Sequence, residues 1–149
     1  RVDRRQRQMC IRDSYYTDFE LKNHKQVSNW LLSLANKEGF SIKNLYYNYV
    51  SPDQIQSLNN EFLKHDYVTD VLAFDYCEGS ELSAEVFICQ SEVEKNAKDL
   101  SQSIENETLR VLCHALFHLC GYNDKTDKEQ AVMRAKEDGA ISSFKTTHK

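Results

Sequence analysis

The sequence predicts an α+β fold in which a small mixed β-sheet packs against several helices in a single domain. Three observations lead to this prediction. Apolar residues recur at helical spacing in several segments, residues 42–50 alternate like a strand, and short apolar runs follow at residues 71–76 and 82–89. The chain has 149 residues, of which 40% are hydrophobic, and this suits one core of ordinary size.

The first predicted elements are a helix and a strand. The helix lies within residues 18–39 and ends at Gly39, which can adopt a left-handed conformation. The buried face of this helix is predicted to consist of Val27, Trp30, Leu31, Leu34 and Ala35. The strand spans residues 42–50 and is rich in tyrosine. Its core face is predicted to contain Leu45, Tyr47 and Tyr49.

Ser51 predicts the start of a second helix, because Pro52 follows it and Gln54 lies three residues further on. The inward residues of this helix are predicted to be Ile55, Leu58 and Phe62. The two apolar runs that follow are separated by five residues. A hairpin is one possible pairing of these runs, although periodicity alone does not fix it.

The second half of the chain is predicted to be mainly helical. Ser91 and Glu94 have the spacing of a capping box, and so do Thr126 and Glu129. Between them, a polar break at residues 100–103 precedes the helix that contains two histidines. A short terminal helix is predicted over residues 131–138.

Composition suggests where the domain begins and ends. Residues 1–14 contain five arginines and two aspartates without apolar periodicity, so we interpret them as a non-native or disordered extension. Residues 15–141 form the predicted domain, and residues 142–149 a frayed polar tail. Without residues 1–14 the net charge changes from −4 to −7, so a bound polyanion would need a local basic patch or a metal ion.

The composition also suggests the cellular compartment. No apolar run approaches 18 residues, so no membrane span is predicted, and no leader of the signal-peptide type is visible. The five cysteines are odd in number and show no C-x-x-C spacing, which favours reduced thiols and a cytoplasmic location. Cys113 and Cys120 flank the histidines, and we interpret both as core residues or residues that support the histidines.

Two histidines and an aspartate predict a metal site. His114 and His118 are four residues apart on a helix, so both imidazoles project from one side. Gly121 can then end the helix, and the short turn after it brings Asp124 toward the same point. Two imidazoles and a carboxylate, with open positions left for water, are the ligand set of a catalytic zinc or a similar ion. A histidine pair alone is more often a packing feature.

The full pattern H-x-x-x-H-x-x-G-x-x-D resembles the metal-ligand string of metzincins, and its helix is therefore zincin-like. Such proteases have a glutamate directly after the first histidine, where this chain has Ala115. The pattern therefore indicates a metal hydrolase that is not a peptidase.

A second segment identifies a family. The order and spacing of residues 59–74, 82–88 and 114–124 resemble three motifs of YbeY-type rRNA maturation factors, which are bacterial endoribonucleases. These motifs read N-x-x-[FY]-R…D-x-P-T-D-V-L-S-F, L-G-D-[IV]-x-I and H-G-x-L-H-L-x-G-Y-D-H. Four departures from these motifs bear on the site. Asp124 replaces the third histidine ligand, Leu63 replaces the arginine, Ala84-Glu85 replaces Gly-Asp, and Ala115 replaces glycine. We interpret the chain as a divergent branch with a His-His-Asp site.

The resemblance implies a zinc-dependent, single-strand-specific endoribonuclease that acts in small-subunit rRNA maturation and ribosome quality control in the cytoplasm. It implies one Zn²⁺ per chain and, as partners, single-stranded RNA, the ribosomal subunit or ribosome-associated proteins. The general base is metal-bound water or a side chain, for which Glu85 and His65 are weak candidates. Water and a ribose 2′-hydroxyl both remain possible nucleophiles.

Other interpretations stay open from the sequence. Five basic residues near the motif can contact phosphate or form an ordinary charged surface: Arg110, Lys125, Lys128, Arg134 and Lys136. The alternative functions are a metal hydrolase of another phosphoester and a non-catalytic ribosome-biogenesis factor with a structural metal. The acidic net charge and the leucine at position 63 favour the latter.

Overall fold

The structure is a computed structural model that describes residues 10–17 and 19–147. Within these residues the strands are β1 (Cys10–Tyr15), β2 (Ser41–Val50), β3 (Val71–Asp75) and β4 (Glu81–Cys89). The helices are α1 (His24–Lys37), α2 (Pro52–Leu63), α3 (Gln90–Asp99), α4 (Ile104–Leu119) and α5 (Asp127–Thr147). The α+β class with a small mixed sheet is therefore confirmed. None of these helices has the length and apolar character needed to cross a membrane.

The four strands form one sheet in the order β1-β2-β4-β3. β1 and β4 both run parallel to β2, and β3 runs antiparallel to β4. The runs that contain β3 and β4 therefore do form a hairpin. No strand of the described residues pairs with the outer edge of β3. This edge position matters for the site, because β3 lies next to α4.

The core lies mainly on one face of the sheet. The predicted inward residues Leu45, Tyr47 and Tyr49 are at most 1% exposed and pack with α1, α4 and α5. A smaller cluster on the opposite face contains Ile55 of α2 and Leu72 of β3. Alternation along the strands explains this division, because successive side chains point to opposite faces of a sheet.

Both ends of the described fold extend beyond the boundaries predicted from composition. Residues 10–14 pair with β2 as most of β1, so they belong to the sheet, whereas residues 1–9 lie outside the described part of the chain. The predicted short helix and frayed tail are one helix, α5, which continues to Thr147. Its end is packed: the ring of Phe144 meets that of Trp30, whose indole donates a hydrogen bond to the carbonyl of Ala140 at 2.9 Å.

Local helix signals were correct at some positions and wrong at others. The capping boxes at Ser51 and Thr126 both form. The box predicted at Ser91 does not form, because α3 begins one residue earlier and has no side-chain cap. Phe62 was expected to point inward but is 57% exposed, while Asn59 of the same helix is buried. Asn59 is tolerated in the interior because its side-chain amide donates a hydrogen bond to the carbonyl of Tyr67.

The end of α1 is joined to the metal-motif loop through Glu38. One carboxylate oxygen of Glu38 accepts a hydrogen bond from the Tyr122 hydroxyl at 2.7 Å, and the other accepts from the Lys136 ammonium at 2.6 Å. The ammonium also lies over the Tyr122 ring, 5.2 Å from its centroid. Glu38 therefore fixes the position of the loop that precedes Asp124.

Replacing Glu38 by glutamine is expected to lower the free energy of unfolding at neutral pH by about 1–2 kcal/mol, as for a lost charged hydrogen bond. Burial alone raises the pKa of Glu38, but the bonds from Lys136 and Tyr122 outweigh burial and hold it below 4.5. A group with a lowered pKa stabilises the fold above its unfolded-state pKa and loses this effect as pH falls. Urea unfolding at neutral pH and below pH 4.5 measures the difference.

The difference in unfolding free energy between wild type and Glu38→Gln should shrink on acidification. The exposed Glu94 offers a matched control, and Glu94→Gln should change stability by much less. A loss of stability in Glu38→Gln that is equally large at both pH values would contradict the assignment of this stabilisation to the ionised Glu38 carboxylate.

Candidate metal centre

Helix α4 positions the two histidines. Ser103 caps this helix by accepting a hydrogen bond from the backbone N–H of Asn106, and Leu112 and Leu116 are buried in the core. Because His114 and His118 are one turn apart, they share the side of the helix that faces β3. Their ring centroids are 4.8 Å apart, and the ring planes are inclined at 81°.

The turn after α4 brings the carboxylate to the histidines. Gly121 has φ +105°, a left-handed conformation in which an L side chain is strained. The backbone N–H groups of Gly121 and Tyr122 donate to the carbonyls of His118 and Phe117 at 3.0 Å each, which closes the helix end. Asp124 follows two residues later, and its carbonyl accepts a bond from the side chain of Gln130.

The predicted ligand residues meet at one point. An oxygen of Asp124 lies 3.4 Å from Nε2 of His114 and 3.3 Å from Nε2 of His118. The possible ligand atoms of these three residues all lie within 4.8 Å of one another, and all three side chains are partly exposed. Within residues 10–17 and 19–147, no other such group of three or more residues occurs. Two imidazole nitrogens and one carboxylate oxygen fit a divalent ion such as Zn²⁺.

Glu137 supports the first histidine from the side away from the cluster. Its carboxylate lies 2.6 Å from Nδ1 of His114 and 2.8 Å from the guanidinium of Arg110. A carboxylate only accepts hydrogen bonds, so Nδ1 carries the proton and Nε2 is left with its lone pair toward Asp124. Arg110 also pairs with Asp138 at 2.7 Å, which holds the guanidinium in place.

The contacts among His114, Glu137 and Arg110 lower the pKa of Glu137 and raise the pKa of His114. Burial of Glu137 would raise its pKa, but hydrogen bonds from His114 and Arg110 outweigh burial and lower it. Burial of His114 lowers its pKa, but the bond to Glu137 and the charges of Glu137 and Asp124 raise it by more. Glu137 therefore stays ionised and holds the imidazole by a charge-assisted hydrogen bond.

The role of Glu137 was not predicted from the sequence. A signal was present: Met133, Glu137, Ala140 and Phe144 follow helical spacing, and all of them are buried on one face of α5. An acid on the apolar face of a helix needs a partner, because an isolated buried carboxylate is costly. The prediction that the terminal helix ends at residue 138 hid this pattern.

Two clefts open beside the cluster. One has a volume of about 290 Å³ and is lined by polar residues that include His114, Asp124, Glu137 and Arg134. The other, of about 510 Å³, lies between β3 and α4 and is lined by His114 and His118. Asp70 lines both clefts, and its carboxylate accepts a hydrogen bond from Asn96 at 3.3 Å. The position of Asp70 beside the cluster was not predicted from the sequence.

The two candidate bases named from the sequence do not line these clefts. Glu85 lies on β4 between the core residues Ala84 and Val86, so it points to the opposite face of the sheet. It lines a separate groove beside Phe87. His65 follows α2, is exposed, and stacks on Tyr67. The structure therefore does not bring either residue together with the cluster.

The basic residues divide into two groups. Arg110 and Lys136 are held in ion pairs within the fold. Lys125, Lys128 and Arg134 are exposed, and Arg134 lines the cleft that contains His114. Of these three exposed cations, Arg134 is therefore the one that lines a cleft beside the cluster.

The cysteines of α4 are not placed as ligands. Cys113 is buried in the core, Cys120 packs against the core, and both are free thiols. Burial raises the pKa of Cys120 to about 12 and raises that of Cys113 further. Because the thiolate is the form that binds metal, these residues act as packing groups.

Comparison with known proteins gives one consistent family. The family model described as Endoribonuclease YbeY matches residues 10–145. A protein named Endoribonuclease YbeY from Flavobacterium johnsoniae is 38% identical over 134 residues, which are 90% of this chain and 96% of the relative. Another of that name from Cytophaga hutchinsonii is 39% identical over 127 residues, or 85% and 89% of the two chains.

One solved structure is also similar. The solution structure of TM1509 from Thermotoga maritima superposes with a TM-score of 0.63 at 29% sequence identity. The match covers 91% of this chain and 89% of the other. The similarity therefore extends over nearly the whole chain.

Proposed function

The chain belongs to the YbeY endoribonuclease family, and we propose that it is a metal-dependent endoribonuclease that cuts single-stranded RNA during rRNA maturation. We further propose that it binds one Zn²⁺ per chain and works in the cytoplasm with the ribosomal subunit or ribosome-associated proteins, including in ribosome quality control. The names of its relatives support hydrolysis of RNA.

The observation that supports the chemistry is the meeting of His114, His118 and Asp124 at the mouth of two clefts. When bound, a divalent ion would supply a Lewis acid that polarises a phosphate oxygen and lowers the pKa of a coordinated water. The imidazoles and the carboxylate would hold the ion from one side. The partial exposure of all three leaves the other side open to a substrate.

The remaining residues of the site have separate roles in this proposal. Glu137 fixes the orientation and tautomer of His114. Arg134 is free to contact a phosphate in the polar cleft. Asp70 lines both clefts and replaces Glu85 and His65 as the side chain best placed to take a proton from the nucleophile.

The proposal is tested with metal-depleted protein reloaded with one equivalent of Zn²⁺. We expect cleavage of a single-stranded RNA only after reloading, slower cleavage of the same RNA in a duplex, and no cleavage of casein. Asp124→Ala should stay folded, lose bound zinc on gel filtration and lose cleavage. Zinc-independent cleavage, or no cleavage by fully zinc-loaded wild type, would contradict the proposal.

A second function is supported by Leu63, which stands exposed where the family motif has an arginine. A non-catalytic ribosome-biogenesis factor with a structural metal would not need that cation. In such a protein Asp124→Ala would unfold the domain instead of only removing activity. Circular dichroism of this variant therefore separates the two functions.

A further inference from the structure

Five aromatic side chains gather near the outer edge of the sheet, of which three are exposed and Phe74 and Phe87 are half-buried. We define the aromatic surface as Phe62, Phe74 and Phe87, with the nearby pair His65 and Tyr67. The three phenylalanine rings meet edge to face, with centroids 5.5 and 5.7 Å apart. His65 and Tyr67 stack at 5.4 Å with an angle of 13° between their planes. Phe62 and Tyr67 are 57% and 53% exposed, which is high for large apolar rings.

Strand β3 connects this surface to the metal cleft. Val71, Ala73 and Asp75 line the cleft that contains both histidines. Phe74, between the last two, points to the opposite face of the strand and contacts Phe62. Within the described chain no strand pairs with the outer edge of β3, so the two faces meet at an edge that is unpaired in the sheet. A polymer that leaves the cleft across this edge would therefore reach the aromatic surface.

The charges around the surface indicate which part of a nucleic acid would contact it. In the sequence Lys64 lies between Glu61 and Asp66, and Glu85 of β4 pairs with Phe74 of β3. Acidic side chains repel phosphates, whereas an exposed aromatic ring stacks on the face of any unpaired base. The surface is therefore suited to bases and not to the sugar–phosphate backbone.

We propose that the aromatic surface stacks the unpaired bases of single-stranded RNA next to the cleavage site. This inference rests on the proposed function and adds to it the element that selects single strands. A duplex would not bind in this way, because its bases are already stacked and paired. Base stacking also offers an acidic protein a source of RNA affinity that does not depend on a basic surface.

The test is steady-state cleavage of a single-stranded oligoadenylate by the zinc-loaded full chain, with Phe62→Ala, Phe62→Trp and a control. Phe62→Ala should raise KM about ten-fold, the order of one lost stacking contact, and leave kcat within about two-fold. Phe62→Trp should restore KM. The control Leu100→Ala removes an equally exposed apolar residue at the end of α3 and should behave like wild type.

Two further readouts separate stacking from a merely structural effect. The salt dependence of KM should have the same slope in Phe62→Ala and wild type, because no phosphate contact is lost. An abasic ribose-phosphate oligomer should inhibit both proteins equally. Unchanged KM in a folded Phe62→Ala would overturn the inference and assign the surface to a protein partner. Absence of any RNA cleavage by wild type would instead reject the proposed function itself.

Discussion

Replacing His118 by alanine is expected to weaken zinc binding by at least about a hundred-fold and to abolish metal-dependent cleavage of RNA. Structural zinc sites bind with about 10–16 kcal/mol from four ligands, so one ligand contributes roughly 3 kcal/mol. In a site with three protein ligands, the loss of one leaves two protein ligands, and these compete poorly with water and buffer molecules for the zinc ion. The side chain of His118 is 36% exposed, so its removal leaves no closed cavity and the fold should persist.

The measurement is competition for Zn²⁺ with a chelating dye of known affinity, together with circular dichroism as a check on folding. His65→Ala is the matched control, because His65 is an exposed histidine that lies outside the cluster. It should bind zinc like wild type. Full stoichiometric zinc at unchanged affinity in both His118→Ala and His114→Ala would show that the histidine pair only packs.

Much of the architecture follows from periodicity in the sequence. The strand at residues 42–50 alternates, and its inward residues Leu45, Tyr47 and Tyr49 are buried as predicted. The helix α4 and the turn at Gly121 were predicted from apolar spacing and from the conformational freedom of glycine. These signals are local, so they do not depend on knowing which elements pack together.

The errors arise where tertiary contacts override local signals. Phe62 occupies a position that fits the inward face of α2, but the buried residues of this helix are Ile55 and Asn59, and Phe62 stays 57% exposed beside the ring of Phe74. Residues 142–147 look polar as a tail, yet Phe144 packs against Trp30 and keeps the segment helical. Residues 10–14 have no apolar periodicity, but β2 offers them a complete set of backbone partners.

In the candidate site, too, some residues are predictable from local spacing and others are brought together only by tertiary contacts. The ligand residues His114, His118 and Asp124 fall within eleven positions, so helix geometry and one turn are enough to bring them together. Glu137 is 23 residues from His114, and its role depends on how α5 packs across α4. Asp70 is likewise brought to the clefts only by the pairing of β3 with β4. Such contacts between distant segments are not predictable from the spacing within either one.

Replacing Glu137 by alanine is expected to weaken zinc binding about ten- to a hundred-fold, the usual effect of removing a carboxylate that supports a ligating histidine. Without the carboxylate, the imidazole of His114 is free to rotate and to adopt the tautomer that presents N–H toward Asp124. Glu137→Gln keeps an acceptor for the Nδ1 proton but loses the negative charge. It should therefore bind zinc with intermediate affinity.

Glu137 also pairs with Arg110, so its loss leaves a half-buried guanidinium with one partner and is expected to lower stability as well. Asp138→Asn is the matched control, because it breaks the other Arg110 pair without touching His114. Zinc affinities are therefore compared among folded proteins well below their unfolding temperatures. The NMR signal of the His114 Nδ1 proton provides an independent readout: it should persist in Asp138→Asn and disappear in Glu137→Ala.

The three variants together distinguish positioning from general stabilisation. If Glu137 acts through His114, zinc affinity should decrease in the order wild type, Glu137→Gln, Glu137→Ala, while Asp138→Asn stays close to wild type. If Glu137 only secures Arg110, Asp138→Asn and Glu137→Ala should reduce stability alike and leave zinc affinity unchanged. The short hydrogen bond that Nδ1 of His114 donates to Glu137 favours the first outcome, because it leaves the lone pair of Nε2 free to bind a metal beside Asp124.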